Sequence, residues 1–115
     1  MTEGLCLRIY MSESSRIDGE PALEAILALC QAAGLRGVSV VRAIEGLGKH
    51  GIHSASFLGL SADLPLIVEA IDLSERIEQA VATMRPHLGD CLVATWPVSL
   101  MRNEIIREGA AHGND

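Results

Sequence analysis

The chain has 115 residues, of which 49% are apolar, so it is long enough and hydrophobic enough for one domain with a single packed core. Nine basic and fifteen acidic residues give a net charge of −6, which argues against nucleic-acid binding through a basic surface. No apolar run reaches the roughly 18 residues of a membrane span, and the start, Met1–Gly4, lacks the basic residues of a signal peptide. We therefore expect a cytoplasmic protein without membrane insertion.

The first half of the chain predicts a strand, a helix and a second strand. Apolar residues alternate with other residues through Leu5–Ser12, which is typical of a half-buried strand. After a turn-rich stretch, Pro21 opens a helix whose apolar positions recur at helical spacing as far as Cys30. Gly34 is a natural end for this helix, and a second strand is expected over Gly37–Ile44.

The second half predicts a strand, a helix and a last strand. The third strand is expected over Leu64–Ile71. Asp72 and Glu75 have the spacing of a capping box, which predicts that a helix begins here and ends before Gly89. The fourth strand is expected over Cys91–Val98.

The resulting order, βαββαβ, predicts an α+β fold of the ferredoxin-like type. Two helices would cover one face of a four-stranded antiparallel sheet, with a long loop between strands two and three. This domain would occupy residues 1–108, followed by a small, polar and mobile tail over residues 109–115. The other sheet face is also expected to be apolar, at Val41, Ala43, Ile67, Ile71 and Val93. Such a face usually packs against a partner, so we expect an oligomer.

The long loop, Glu45–Pro65, is the feature of the sequence that most suggests a function. It opens with Gly46-Leu47-Gly48-Lys49, in which glycines let backbone N–H groups approach an anion and Lys49 supplies a positive charge. The alternative interpretation is a glycine turn beside a solvated lysine. Loops of this length in small domains are usually functional or disordered.

Other residue types give weaker signals. His50, His53 and His87 are candidate metal ligands, although loop histidines more often make local hydrogen bonds. Cys6, Cys30 and Cys91 match no paired metal or redox spacing and are interpreted as small packed residues. No catalytic combination of nucleophile, base and orienting group can be assembled, so an enzyme is not expected.

Three segments resemble the PII-like signalling proteins, and most closely their branch known as domain of unknown function 190. They are Leu7-Arg8-Ile9-Tyr10, the run Gly34–Gly48, and Ile52-His53 together with Leu60–Glu69. With the element order, the resemblance extends over nearly the whole chain to about Val98.

The resemblance implies a homotrimer whose three sheets line a central region. It also implies a partner-binding loop after strand two, the T-loop, and adenine nucleotides held in clefts between subunits. Gly46, Gly48 and Lys49 match the start of the T-loop, and His53 lies in a family-like segment as a candidate for ligand contact. Gly89-Asp90 resembles the family's B-loop, and Arg102 is a candidate cation for a neighbouring subunit's cleft.

Two features depart from the PII pattern. Cys91 and Leu92 follow the Gly-Asp pair where PII proteins usually place a phosphate-binding lysine, so a nucleotide with fewer phosphates than ATP, or another small anion, stays possible. The sole tyrosine is Tyr10, so the T-loop tyrosine that PII proteins modify has no counterpart.

The leading hypothesis is a regulatory protein that binds ADP, AMP, ATP, cyclic AMP or a similar small anionic metabolite. Its loop would then engage or release a partner, such as a transporter or an enzyme. One alternative is a metal-binding trimer of the CutA kind that uses His50, His53 and His87. Another is a structural interaction scaffold without a small-molecule ligand.

Overall fold

Alternating apolar residues build the centre of the sheet. In this computed structural model, which describes residues 2–48, 51–54 and 63–101, Leu7 and Ile9 of the first strand are fully buried, whereas Arg8 and Tyr10, which alternate with them, are partly exposed. This strand pairs with a strand on each side, which explains why its inward-facing side chains form the middle of the core.

The elements run, in chain order, β1 (Thr2–Ser12), β2 (Arg16–Ile17), β3 (Glu20–Pro21), α1 (Ala22–Ala32), β4 (Val38–Arg42), β5 (Glu45–Gly48), β6 (Gly51–Ser54), β7 (Pro65–Leu73), α2 (Ser74–Met84), a 3₁₀ turn (Arg85–His87) and β8 (Leu92–Leu100). The order β4-β7-β1-β8, with every pair antiparallel, gives the main sheet. Both helices contribute buried side chains to its core. The predicted α+β fold is confirmed, and the predicted tail over residues 109–115 lies outside the described residues.

The core lies between the helices and one face of the sheet. Ile26 and Cys30 of α1 and Ile77 and Met84 of α2 are buried there. The Sγ atom of Cys30 lies 4.0 Å from the Sδ atom of Met84, so the two helices meet through their sulfur-bearing side chains. The helical spacing of apolar residues thus predicted both buried helix faces correctly.

Helix α2 begins one residue later than the capping-box spacing predicts. Its N-cap is Leu73, which makes no side-chain cap, because β7 continues to Leu73 in register with Gly4. Asp72 instead accepts a hydrogen bond from the Leu73 N–H at 2.7 Å, and its carboxylate lies 3.7 Å from Arg76. The predicted capping box is therefore wrong, although the helix is present.

The prediction that Val93 lies on the face away from the helices is also wrong. Val93 is in register with Ile9, which is fully buried, and it packs against the core. Apolar residues occur at successive positions of this strand, so alternation alone did not choose a face. The pairs Val41–Ile67 and Cys6–Ile71 lie on the predicted outer face, hereafter the open face.

Two small hairpins interrupt regions that the sequence assigned to turns and loops. Asp18 and Gly19 have φ angles of 52° and 82° and connect the paired residues Ile17 and Glu20 in the two-residue turn that suits the twist of a hairpin. In the long loop, β5 pairs with β6, so its first part is an antiparallel hairpin rather than irregular chain.

Candidate ligand cleft

A cleft of about 450 Å³ opens at the outer edge of the sheet, between the end of α2 and the beginning of β8. It is lined by Val81, Arg85, Leu88, Gly89, Cys91, Leu92, Val93 and Thr95. Helix α2 ends at Met84, and a 3₁₀ turn continues the chain, with Leu88 N–H donating to the Arg85 carbonyl at 3.2 Å. Volumes of this size suit small-molecule ligands.

Gly89 and Asp90, which the sequence predicted as ligand-binding residues, form the turn into β8. Gly89 lines the cleft with a φ angle of 63°, a conformation that strains other residues. The Cys91 N–H donates to the Leu88 carbonyl at 3.2 Å and closes this turn. Because Gly89 has no side chain, its backbone is uncovered where it lines the cleft.

Arg85 is a residue of the cleft that the sequence analysis missed. Among the described residues that line the cleft, it alone carries a positive charge. Its position results from the 3₁₀ turn, which brings the end of α2 around toward Gly89. The sequence did contain a signal, a basic residue four positions before Gly89. Helical spacing alone does not show that the α-helix changes to a 3₁₀ turn at this point, so the position of Arg85 could not be predicted.

Cys91 lies where a phosphate-binding lysine would stand in PII proteins. Burial, and then the carboxylate of Asp90, raise the pKa of the Cys91 thiol. A raised pKa keeps the thiol neutral at pH 7, so Cys91 adds neither negative charge nor a reactive thiolate to the cleft.

We expect iodoacetamide at pH 8 to alkylate the three cysteines more slowly in the folded protein than in urea. The pKa of Cys30 is raised by burial and its side chain is 1% exposed, so it should react last, after the half-buried Cys91. Time-resolved mass spectrometry of the alkylated peptides would measure the order. Rapid alkylation of Cys30 under native conditions would contradict its placement in the core.

The predicted residues at the start of the loop lie at the other edge of the sheet. Gly46 and Gly48 belong to β5, and Gly46 pairs with His53 of β6. The side chain of His53 is not among the parts that the structure describes. Lys49 and Arg102 also lie outside the described residues, as does His50. Of the predicted loop residues that the structure describes, Gly46 and Gly48 therefore do not lie with Gly89.

The strand register nevertheless places both groups at the same end of the sheet. Arg42, the last residue of β4, pairs with Leu66 of β7, and Leu66 pairs with Met11 of β1. Tyr10, the residue before Met11, pairs with Leu92 at the start of β8. Three strand spacings, about 14 Å, separate the two edges. A ligand that contacts both edges of one chain would have to span this distance.

The candidate metal ligands do not form part of a metal site within the described residues. His87 is exposed in the 3₁₀ turn. Within residues 2–48, 51–54 and 63–101, no group of three His, Cys, Asp or Glu side chains is arranged to hold an ion. The described helices also include none that is long and apolar enough to cross a membrane.

The open face combines an ion pair with exposed apolar side chains. Arg8 Nε donates to Glu69 Oε2 at 2.7 Å, and the Arg8 guanidinium carbon lies 5.4 Å from the centre of the Trp96 ring. The exposed apolar residues are Val41, Ile71, Leu73, Leu92 and Trp96, with exposures from 39% to 65%. This much exposed apolar surface on one sheet face is typical of a protein interface.

Comparisons with known proteins agree with this architecture. The model of the family DUF190, described as an uncharacterized ACR, matches residues 4–100. A UPF0166 protein of Methanocaldococcus jannaschii is 30% identical over 81 residues, which cover 70% of this chain and 75% of that protein. A UPF0166 protein of Aquifex aeolicus is 38% identical over 74 residues, covering 64% of this chain and 70% of that protein.

Solved structures show the same fold at low sequence identity. CPII, a nitrogen regulatory PII-like protein from Thiomonas intermedia K12 bound to ADP, AMP and bicarbonate, has a TM-score of 0.61 at 16% identity, covering 86% of this chain and 96% of CPII. The GlnK–ATP complex of B. subtilis has a TM-score of 0.52 at 16% identity, covering 85% and 84%. The chain therefore belongs to the DUF190 family, and its fold is that of the PII-like proteins.

Proposed function

We propose that the protein is a PII-like regulator that binds an adenine nucleotide in the cleft beside Gly89. The cleft with Arg85 at its wall is the observation that carries the proposal, because it offers one cation next to apolar side chains. A nucleotide has the matching parts, an apolar base and an anionic phosphate. CPII is bound to ADP and AMP and GlnK to ATP, which supports this class of ligand.

The proposal includes assembly into a homotrimer, with each cleft completed by a neighbouring copy. The exposed apolar residues of the open face support burial against other copies. The separation of Gly46 and Gly48 from Gly89 across the sheet supports a site shared between chains. Lys49, His53 and Arg102 remain predicted ligand contacts of such a shared site.

In this scheme the ligand acts as a signal and is not chemically changed. Phosphate groups placed against backbone N–H groups would order the loop after β4, as ligand phosphates order switch loops elsewhere. The ordered loop would engage or release a partner in the cytoplasm, such as a transporter or an enzyme.

A thermal-shift screen with ATP, ADP, AMP, cyclic AMP, bicarbonate and divalent metal ions tests the ligand class. A ligand that binds only the folded protein stabilises it by about 2.7 kcal/mol at one hundred times its Kd. We expect stabilisation by at least one adenine nucleotide. A shift with metal ions alone would instead favour the metal-binding alternative, and no shift with any compound would favour a scaffold.

The Arg85→Gln variant tests the assigned site. Removing a charge-assisted hydrogen bond should raise the Kd of the stabilising nucleotide about 10–100-fold, measured by calorimetry. Arg76→Gln is the matched control, because it removes the same charge at the opposite end of α2, where Arg76 faces Asp72. Equal affinities of Arg85→Gln and the unmodified protein would remove Arg85 from the site.

A further inference from the structure

Two consecutive residues, Glu13 and Ser14, contact the chain on both sides of the long loop. Just before the loop, at the end of β4, Arg42 Nη1 lies 2.8 Å from Glu13 Oε2. At its end, Asp63 accepts two hydrogen bonds from Ser14, from the N–H at 2.9 Å and from Oγ at 2.7 Å. The Glu13 N–H also donates to the carbonyl of Leu64 at 3.0 Å.

The turn that carries these residues is itself ordered. The Ser12 N–H donates to Ser15 Oγ at 3.0 Å, and the Ser15 N–H donates to the Ser12 carbonyl at 3.0 Å. Glu13 and Ser14 are therefore presented from a closed turn at the end of β1, the central strand. Contacts to this turn connect the loop ends to the most buried element of the sheet.

The contacts of Glu13 and Ser14 restrict the direction of the chain at the loop ends, which strand pairing does not do. The register of Arg42 with Leu66 already fixes the distance between the loop ends. Two donors of Ser14 bound to the two carboxylate oxygens of Asp63 also restrict the rotation of that side chain, and with it the direction in which the chain enters β7. The Glu13–Arg42 pair is more exposed, with 62% of the Arg42 side chain accessible, so it should contribute less and depend on salt.

We infer that Glu13, Ser14 and Asp63 are positioning residues, which form a clamp that fixes the path of the chain where it leaves β4 and where it enters β7, on either side of the long loop. This role goes beyond the proposed function, since it concerns the loop in the ligand-free protein. Only the effect of the clamp on ligand affinity rests on the proposed function.

Hydrogen exchange of the Glu13 and Ala43 amides in the full-length protein tests the clamp, because these amides donate to the carbonyls of Leu64 and Pro65, next to Asp63. In Asp63→Ala both Ser14 contacts are lost, and we expect these amides to exchange about tenfold faster. In Asp63→Asn the side-chain oxygen can still accept from the Ser14 N–H while its amide donates to Ser14 Oγ, so exchange should return close to the original rate. Glu20→Ala, which removes an exposed carboxylate from β3, is the control and should change nothing.

Each comparison has an outcome that decides it. Amides of β1 should keep their rates in Asp63→Ala, which shows that the change is local and the fold intact. Unchanged exchange of the Glu13 and Ala43 amides in Asp63→Ala would overturn the clamp. Equally fast exchange in Asp63→Asn and Asp63→Ala would overturn the hydrogen-bonding explanation.

Ligand titration separates this inference from the proposed function. If ADP binds the unmodified protein, we expect a weaker affinity in Asp63→Ala and a nearly unchanged affinity in Asp63→Asn. If no nucleotide binds the unmodified protein, the proposed function fails, whereas the exchange rates still decide whether the clamp exists.

Discussion

Replacing Ile9 by alanine is expected to lower the free energy of unfolding by roughly 2–5 kcal/mol, the largest effect of a single core change that we predict. Ile9 is 0% exposed and lies in the central strand, in register with Val68 on one side and Val93 on the other. The smaller side chain would leave a cavity between the sheet and both helices. Domains of this size have total stabilities of about 5–15 kcal/mol, so a substantial fraction would be lost.

Urea denaturation at a fixed protein concentration measures this change, since assembly makes apparent stability depend on concentration. Ile44→Ala is the matched control, because it removes the same atoms from a side chain that is 77% exposed. Its effect should stay below about 1 kcal/mol. Similar losses in the two variants would show that Ile9 is not in the core described here.

Replacing Ile71 by glutamate is expected to dissociate the proposed oligomer while each chain stays folded. Ile71 lies on the open face with 44% of its surface exposed, so a glutamate is tolerated in the isolated chain. Once another copy covers this face, the carboxylate would be buried without a partner, at a cost of several kcal/mol per chain. Light scattering coupled to size-exclusion chromatography would report the mass.

Ala28→Glu provides the control for this variant. Ala28 is exposed on α1, on the opposite side of the sheet from the open face, so the added charge should leave the assembly intact. An unmodified protein that is monomeric at tens of micromolar, or an Ile71→Glu variant with the original mass, would contradict burial of the open face.

Much of the fold could be predicted because local patterns and tertiary structure agree. The alternation around Leu7 and Ile9 and the helical spacing of Ile26 and Ile77 each correspond to one buried face. The pattern failed where it was ambiguous. Val93 lies among apolar neighbours, so only its register with Ile9 decides its face.

The β5–β6 hairpin could not be predicted for a different reason. Gly46, Gly48 and Gly51 are poor strand formers, and a glycine-rich run therefore indicates a loop. Pairing across the hairpin, with Gly46 opposite His53, outweighs that local preference. The same residues were interpreted as an anion site from their glycines and charge, and neither property indicates whether the backbone is paired.

The candidate site could be predicted only in part. Gly89 and Asp90 were predicted because they resemble the B-loop of the PII-like proteins, and Gly89 lines the cleft in the structure. Arg85 and Thr95 join the cleft through the 3₁₀ turn and the antiparallel course of β8, which are features of tertiary structure.

The most direct test of the central proposal is calorimetric titration of ADP and AMP into the unmodified protein and into Ile71→Glu. The proposal predicts that at least one of the two nucleotides binds the assembled protein at about one site per chain, and that the dissociated variant binds at least tenfold more weakly because the neighbouring copy is missing. Equal binding by the dissociated variant would contradict a shared site. No binding of either nucleotide to the unmodified protein would contradict both as its ligands.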